Sequence, residues 1–438
     1  MKWSRYLTLS FLLLAVLALA GSTFAQPAVL ASPVALDYYL YPEVRVSLPE
    51  AEEDWRYTSS VTYNPNHDEY LVVWHNYWHP GSTSNDFYDI YARRLTASGQ
   101  LLNQFVVASG YSTPDGLKRY SPAAAFNPIT NEYLVVYVLD VAGLETEVWG
   151  RRISWDGLTL YPEFQIFTFP NREFGHPRVV RNSFRNTYFV VAHARDTSTD
   201  KFNDVCGRLV MANGSTPYAG HNISTQSQVN QPMNPDVAYM YYNDEYFVVW
   251  AQYWNGDDMD IFGARVNGLT GDVIATDIPL DWVGYHQDYP VVASNDLDRY
   301  LVAWTEIQGT WPSLYTDVYA AEYNLAASRV GNLLHLGYTS DNEAMPAVTI
   351  NKLTGQRFVT FEYYGFSSNY IMGFSWYPTS TLTWILPFPI VQAAGNLQAV
   401  AAGGANFLVA YDKTMSYDYH IYATLYTPFA VFLPLVRR

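Results

Sequence analysis

The most regular feature of the chain is a run of apolar residues that occurs seven times, most clearly in Glu245–Trp250 (EYFVVW). The other copies are Glu69–Trp74, Glu132–Tyr137, Thr187–Ala192, Arg299–Trp304, Arg357–Glu362 and Asn406–Tyr411. Their second residues stand at positions 70, 133, 188, 246, 300, 358 and 407, so neighbouring copies are 49 to 63 residues apart. A nearly constant period of this length indicates a repeat architecture.

Each copy lies within the same order of predicted strands. A strand of small residues, such as Pro122–Phe126, comes first, and a turn such as Asn127–Asn131 follows it. The apolar run is next, and it must be covered on both faces. A third strand such as Asp89–Leu95 alternates polar and apolar residues, which is typical of a half-exposed strand. A glycine-containing turn then leads to a short outer strand such as Phe164–Phe167.

Four antiparallel strands in each of seven repeats predict an all-β fold, a seven-bladed β-propeller with four-stranded antiparallel blades. The pattern resembles the propeller repeats of secreted bacterial proteins of no characterised family. In those repeats the second strand ends in Val-Val-Trp and the third begins with Asp-Ile-Tyr, as at Val72–Trp74 and Asp89–Tyr91. The resemblance implies an exported propeller and no particular activity.

The two ends of the repeat array predict how the ring closes. The last repeat ends its third strand at Tyr426 without a clear outer strand, while Val44–Leu48 alternates like a strand before the first repeat. We expect Val44–Leu48 to complete the seventh blade, because that pairing removes an exposed edge. A chain starting at Glu53 should then unfold at a distinctly lower temperature. An unchanged melting temperature would contradict this closure.

The N-terminus has the three parts of a secretory signal. Lys2 and Arg5 supply positive charge, Leu7–Ala20 is apolar, and Thr23–Ala25 is a small-x-small cleavage site. We therefore expect a secreted or cell-surface protein. The predicted division is a signal peptide at 1–25, a linker at 26–40, the propeller at 41–427 and a C-terminal tail at 428–438. The apolar run and the tail are too short to form a stable transmembrane span.

Charge and cysteine content narrow the range of partners. The chain has 25 basic and 41 acidic residues and a formal charge of −16, which disfavours nucleic acid and anionic membranes. The sole cysteine, Cys206, is interpreted as a small apolar strand residue, so we expect no intrachain disulfide. We expect a monomer.

The long loops carry the residues that suggest binding. Loops between second and third strands, and loops between blades, should emerge on one face, and here they are rich in aromatics, amides and carboxylates. Such a combination suits a neutral sugar, because a ring plane covers C–H groups while polar groups bind hydroxyls. The predicted ligand is a glycan or an extracellular protein or polar peptide. The candidate residues are Trp78, Trp254, Trp311, Tyr285, Asp140 and Glu306. The alternative is that these aromatics only anchor the loops.

The case for catalysis is weaker from sequence alone. Sugar hydrolases use paired carboxylates, and the loop candidates are Glu306, Asp140, Asp196 and Asp412, but no spacing singles out a catalytic pair. Nucleophile-elbow, phosphate-loop and zinc-protease motifs are absent from the sequence. The sequence therefore favours a non-catalytic binding or scaffold protein. The alternative is a carbohydrate-active hydrolase or lyase with carboxylates at the axial pocket.

Two further sets of acids need interpretation. Asp257, Asp258 and Asp260 crowd one loop as in calcium sites, although the usual ligand order and the distal Glu are missing. Calcium is the one cofactor considered, and an ordinary solvated turn is the alternative. Acids also recur at the start of the third strand, which indicates a structural role. They are Asp89, Glu147, Asp204, Asp260 and Asp317.

Overall fold

The computed structural model describes residues 38–48, 54–78, 87–109, 117–140, 145–225, 231–253, 258–309, 314–337, 341–365, 368–377, 386–392, 398–415 and 418–428. The predicted signal peptide, residues 26–37 of the linker and residues 429–438 of the tail lie outside these ranges. Every regular element in the described ranges is a β-strand, which confirms the all-β class. None of these residues belongs to a helix that could cross a membrane.

The strands fall into groups of consecutive members, beginning with β1 (Tyr38–Leu40) and β2 (Val44–Arg45). The first group is β3 (Asp54–Asn64), β4 (Glu69–Trp78), β5 (Phe87–Thr96) and β6 (Leu101–Ala108). The second is β7 (Lys118–Asn127), β8 (Glu132–Asp140), β9 (Thr146–Ser154) and β10 (Leu160–Phe167). The third is β11 (Arg172–Asn182), β12 (Thr187–Asp196), β13 (Lys201–Met211) and β14 (His221–Asn222).

The fourth group is β15 (Met233–Met240), β16 (Glu245–Tyr253), β17 (Met259–Asn267) and β18 (Val273–Asp281). The fifth is β19 (His286–Ser294), β20 (Tyr300–Gln308), β21 (Tyr315–Tyr323) and β22 (Arg329–His335). The sixth is β23 (Asn342–Ile350), β24 (Arg357–Tyr364), β25 (Asn369–Trp376) and β26 (Phe388–Gln392). The seventh has β27 (Gln398–Gly403), β28 (Asn406–Met415) and β29 (Asp418–Pro428).

Within each group the strands pair antiparallel with their sequence neighbours. The third to sixth groups are separate four-stranded sheets. The first and second groups are joined into one eight-stranded sheet, but only through a single parallel pair of residues, Tyr88 and Lys118. The pairing therefore preserves the four-stranded repeat that the sequence predicts.

The seventh group obtains its outer strand from the N-terminal segment. Val44 and Arg45 pair with Ala423 and Tyr422 of β29, as the sequence predicts for Val44–Leu48. Farther along β29, Tyr38–Leu40 pairs with Tyr426–Pro428. The structure thus places Tyr38–Leu40, which the sequence analysis assigned to the linker, within the sheet.

The contacts of this borrowed strand match those of an ordinary outer strand. The Val46 amide donates to the Ile421 carbonyl at 2.7 Å, and the Ser47 hydroxyl accepts from the Ile421 amide at 3.2 Å. In the third group, Ile223 and Ser224 make the same two contacts with Val205, at 2.7 and 2.9 Å. The N-terminal segment therefore takes the place of a fourth strand and makes the same hydrogen bonds.

In the first three groups, an arginine of the third strand links the group to the one before it. Arg151 and Arg208 donate to the carbonyls of Val107 and Ile166 on the preceding outer strands, both at 2.6 Å. Arg93 of the first group makes the equivalent bond to Val46, at 2.7 Å. The first group is therefore joined to the seventh in the way that the second is joined to the first and the third to the second.

The core lies between the groups, where the second strands are buried on both faces. Every residue from Tyr133 to Val138 is fully buried, as are the indole rings of Trp74, Trp250 and Trp304. One cluster packs Leu134 and Val136 of the second group against residues of the third, such as Val190. Replacing one fully buried tryptophan by alanine should cost about 3–5 kcal/mol. These strands are stable only when neighbouring groups cover them.

The first strands of the groups surround a central cavity of about 320 Å³. Each contacts the first strand of the next group, and β27 contacts β3, so the contacts form a closed cycle. In five groups this strand has a non-glycine residue of positive φ directly before a proline: Ser121, His176, Asn234, Tyr289 and Met345. A register shift follows each of them, and the last four line the cavity.

Candidate functional site

Two facing positions, one on the second strand and one on the third, hold different side chains from group to group. Near the end of the second strand, one residue lies directly opposite a residue near the start of the third strand. The pairs are Asn76–Asp89, Leu139–Glu147, Ala194–Asp204, Gln252–Asp260, Glu306–Asp317, Tyr363–Tyr370 and Lys413–His420. The fifth group alone among these pairs two acids. Cross-strand partners have Cβ atoms about 4.5–5.5 Å apart, where like charges are destabilising. The pair of acids therefore has no explanation in sheet stability.

Glu306 and Asp317 are nearly inaccessible, with 4% and 7% of their surfaces exposed. Gln287 of β19 lies opposite Glu306, so the three side chains form a row across β19, β20 and β21. The fully buried Gln287 amide donates to Asp281 Oδ2 at 2.8 Å, and its Oε1 has no hydrogen-bond partner. We call Asp281, Gln287, Glu306 and Asp317 the acidic cluster.

Burial is the main reason that the pKa of Glu306 lies above its usual value. The charges of Asp281 and Asp317 raise this pKa further, while hydrogen bonds from Gln308 and Gln287 oppose the shift. Gln308 Nε2 donates to Glu306 Oε1 at 2.5 Å. A carboxyl with a raised pKa holds its proton at higher pH than an ordinary glutamic acid, so Glu306 is suited to donate a proton.

Gln308 connects Glu306 to a more exposed residue. The half-exposed Tyr315 donates from its hydroxyl to Gln308 Oε1 at 2.7 Å. Tyr315 and Gln308 thus stand between solvent and the Glu306 carboxyl.

The cations beside the acidic cluster are fewer than its carboxylates. Arg329 donates to Asp281 Oδ1 at 3.2 Å, and His335 Nε2 lies 3.4 Å from Asp317 Oδ2. Tyr319 stacks on the His335 ring with 4.6 Å between centroids, which fixes the ring plane. The Asp317 carboxylate is therefore oriented from the side away from Glu306 by a positioned imidazole.

Asp260 of the fourth group lies nearby. Burial raises its pKa to about 6, with contributions from the charges of Asp258 and Asp281 and an opposing hydrogen bond from the Val283 amide. Among the described residues, no group of three or more His, Cys, Asp or Glu side chains is arranged to hold a metal ion. Asp257 lies outside the described ranges. The calcium site stays a prediction, tested by a thermal shift on adding calcium that Asp258→Ala abolishes.

A second candidate surface is a continuous row of aromatic rings across the seventh, first and second groups. Its centroid distances are 5.7 Å from Tyr419 to Tyr57, 5.2 Å from Tyr57 to His75, 6.2 Å from His75 to Tyr88 and 6.1 Å from Tyr88 to Tyr120. Asp140, a predicted ligand residue, lies close enough to raise the pKa of Tyr120, although burial is the larger cause. We call this set the aromatic row. It combines rings with a carboxylate, as the sequence analysis proposed for a sugar site.

The axial cavity does not gather the predicted carboxylates. Asp236 is the one acid among the described residues that line it. Its Oδ2 accepts from the Val292 amide at 2.8 Å, and its Oδ1 is 3.9 Å from Arg178 Nε. Asp236 is thus engaged within the fold. The carboxylates that do meet are in the acidic cluster, outside the axial lining.

The other predicted ligand residues are dispersed. Tyr285 is exposed between β18 and β19. Trp78 ends β4 but its side chain lies outside the described residues, as do Trp254 and Trp311 entirely. Of the loop acids, Asp196 accepts hydrogen bonds from Ser198, and Asp412 is buried in the seventh group. Sequence reasoning missed Gln287 and Asp281. The one sequence signal for the acidic cluster was Glu306 itself, which follows the apolar run at a position where the other repeats have no acid.

No family model matches the chain, and no curated protein matches it. Several solved structures are similar in fold. A protein of unknown function from Dyadobacter fermentans is 10% identical, with 90% of this chain and 99% of that chain covered and a TM-score of 0.52. The GH93 α-L-arabinofuranosidase of Fusarium graminearum is 9% identical, with 88% and 97% covered and a TM-score of 0.49. An α-L-arabinanase of Penicillium chrysogenum is 12% identical, with 88% and 98% covered and a TM-score of 0.47.

Proposed function

We propose that the protein is a carbohydrate-active hydrolase in which Glu306 is the general acid. The observation that carries this proposal is the opposition of Glu306 and Asp317 on neighbouring strands. Glycoside hydrolysis needs one protonated and one ionised carboxyl at a short distance. Environments that push two carboxyls apart in pKa assign those roles. The raised pKa of Glu306 makes it the protonated member.

The bond changes follow from that assignment. Glu306 gives its proton to the glycosidic oxygen as the bond from that oxygen to the anomeric carbon breaks. The Asp317 carboxylate bonds to the anomeric carbon, and water then displaces it while Glu306 takes the water proton. Carboxyl groups about 5–5.5 Å apart support this two-step route with retained configuration, and opposite positions on neighbouring strands allow the two side chains to come that close.

Local charge supports a hydrolase over a lyase and a neutral substrate over an acidic one. A lyase removes a proton beside a uronate carboxylate, whose negative charge must be neutralised. Here the carboxylates of Asp281 and Asp317 outnumber the guanidinium of Arg329, which already binds Asp281. A uronate would meet net repulsion at this position. Neutral sugars carry no such cost.

The finer architecture is part of the proposal. We take the seven strand groups as seven blades of one propeller, closed by the N-terminal strands. The closed cycle of first-strand contacts and the bond from Arg93 to Val46 support this count. The proposed address is the cell exterior or surface, from the N-terminal signal, and the proposed state is a monomer.

A non-catalytic glycan-binding function is the second candidate. The aromatic row favours it, because four tyrosines and a histidine form one continuous surface beside Asp140. Ring planes next to carboxylates bind sugars without chemistry. This function and hydrolysis at the acidic cluster could share one glycan.

Reducing-sugar release from xylan, glucomannan, galactan, arabinan and laminarin tests the hydrolase. We expect the mature protein to act on at least one of them and Glu306→Gln to lower kcat by at least about 10²-fold. The control is Asp298→Asn, an exposed acid in the turn at the other end of the same group. Binding of a panel member without turnover would favour the second candidate. Equal turnover by Glu306→Gln would refute the assigned acid.

A further inference from the structure

A groove on the outer rim adjoins the acidic cluster. It has a volume of about 520 Å³ and lies between β18 and the β21–β22 turn. Its lining includes Leu280, Asp281, Trp282, Tyr323 and Arg329. We call it the rim groove. Its volume falls within the range of about 300–1,000 Å³ that is usual for small-molecule and sugar sites.

The rim groove is fixed in place, and polar and apolar atoms line it in about equal measure. The Tyr323 hydroxyl donates to the Leu280 carbonyl at 2.9 Å, which joins the fifth group to β18. The ring of Tyr323 is almost fully buried beneath the groove. A concave surface that combines apolar side chains with a few fixed polar groups is typical of ligand sites.

One carboxylate belongs to both sites. Asp281 Oδ2 accepts from Gln287 in the acidic cluster, at 2.8 Å, while its Oδ1 accepts from Arg329 in the rim groove, at 3.2 Å. The distance from the row of Glu306 to the groove is therefore bridged by two side chains, Gln287 and Asp281. Asp281 is thus the residue through which the acidic cluster adjoins the groove.

Trp282 provides a surface for such a chain. It is 62% exposed, although most tryptophans of the described ranges are buried or half-buried. A large apolar ring at the mouth of a groove, with Asp281 and Arg329 beside it, matches the needs of a sugar ring. The ring face covers C–H groups, and the charged pair binds hydroxyls.

We infer that the rim groove binds sugar units beyond the cleaved bond, so that the substrate is a neutral polysaccharide rather than a short terminal sugar. This inference rests on the proposed hydrolase function. The sugar units stack on Trp282 and donate hydroxyl hydrogen bonds to Asp281.

Affinity gel electrophoresis with the five polysaccharides named above tests the groove. The inactive Glu306→Gln protein is compared with the Glu306→Gln/Trp282→Ala double variant, so turnover does not confuse the measurement. We expect the tryptophan change to weaken retardation about tenfold, as for a central aromatic contact. The matched control is Tyr242→Ala, a 71% exposed aromatic residue in the β15–β16 turn that does not line the groove.

The outcomes separate this inference from the hydrolase proposal. Weaker retardation on loss of Trp282, together with hydrolysis by the wild type, supports both. Weaker retardation without any hydrolysis keeps the groove as a glycan site and refutes the hydrolase. Equal retardation of the two proteins, or retardation of neither by any of the polysaccharides, overturns the groove.

Discussion

The fourth and fifth groups share one frame but use the same position differently. In the fourth, Gln252 Oε1 accepts from the indole of Trp250 at 2.8 Å. In the fifth, the equivalent Trp304 Nε1 is buried without a hydrogen-bond partner, while Glu306 is bonded to Gln308 instead. An unmet buried donor costs about 1–3 kcal/mol. In the fourth group, the residue at this position therefore satisfies the buried indole of Trp250. In the fifth group, the acid at the same position bonds to Gln308 and leaves the indole N–H of Trp304 unpaired.

The largest expected difference between the groups comes from neutralising the acid on the third strand. Asp317→Asn should lower kcat by at least about 10²-fold, because the amide cannot form the bond to the anomeric carbon. Glu147→Gln, the equivalent change in the second group, should leave kcat unchanged. Steady-state rates on the polysaccharide that the wild type hydrolyses give both values. Equal losses in the two variants would mean that the recurring acid has the same structural role in every group.

The second-largest expected effect is a pH dependence of hydrolysis that comes from Glu306 of the fifth group. Glu306 must be protonated to act, so kcat/KM should fall as the pH rises through its raised pKa. The alkaline limb of the pH profile is therefore expected to follow the deprotonation of Glu306. A kcat/KM profile from about pH 3 to 9 checks this. A rate that keeps rising above neutrality would contradict the role of Glu306 as acid.

Gln252→Glu gives the fourth group the pair of acids found in the fifth. Glutamate can still accept the Trp250 hydrogen bond, so the change isolates the like-charge contact with Asp260. We expect a loss of up to about 1 kcal/mol at neutral pH, or about 2–4 °C in melting temperature. The loss should largely vanish near pH 4, where both carboxyls take up protons. Thermal unfolding at the two pH values measures it, and a pH-independent loss would point to packing.

The smallest expected effect is a change in melting temperature on replacing Asp260. Its folded-state pKa of about 6 exceeds the usual aspartate value, so the folded protein binds this proton more tightly. Stability from this group is therefore full below about pH 4 and is lost as the pH rises to about 6. Asp260→Asn should raise the melting temperature by about 1–2 °C at pH 7 and leave it unchanged at pH 4. A lower melting temperature at pH 7 would mean that the ionised form is needed.

The sequence predicted the repeat and the closing strand because both depend on local alternation. The apolar runs identify the second strands, and Val44–Leu48 alternates without a blade of its own. Tyr38–Leu40 was missed, since three residues show no period. Its pairing with β29 depends on contacts across almost the whole chain.

The acidic cluster could be predicted only in part. Glu306 was a candidate from its place after the apolar run, while Asp317 was taken as structural because an acid recurs there in other groups. The alignment of Gln287 with Glu306 depends on a register shift between Asp288 and Val291, which no local pattern reveals. Burial and neighbouring charge, which set the pKa of Glu306, also arise only in the folded chain.

The pairing of Tyr38 with Pro428 has a consequence for biogenesis and engineering. A chain that emerges N-terminus first has to keep its leading segment unpaired until β29 has been synthesised, so the final assembly step follows translation. Tyr38 and Pro428 are then neighbours in one sheet. A chain trimmed to these two residues and joined there by a short linker would offer new termini in any turn.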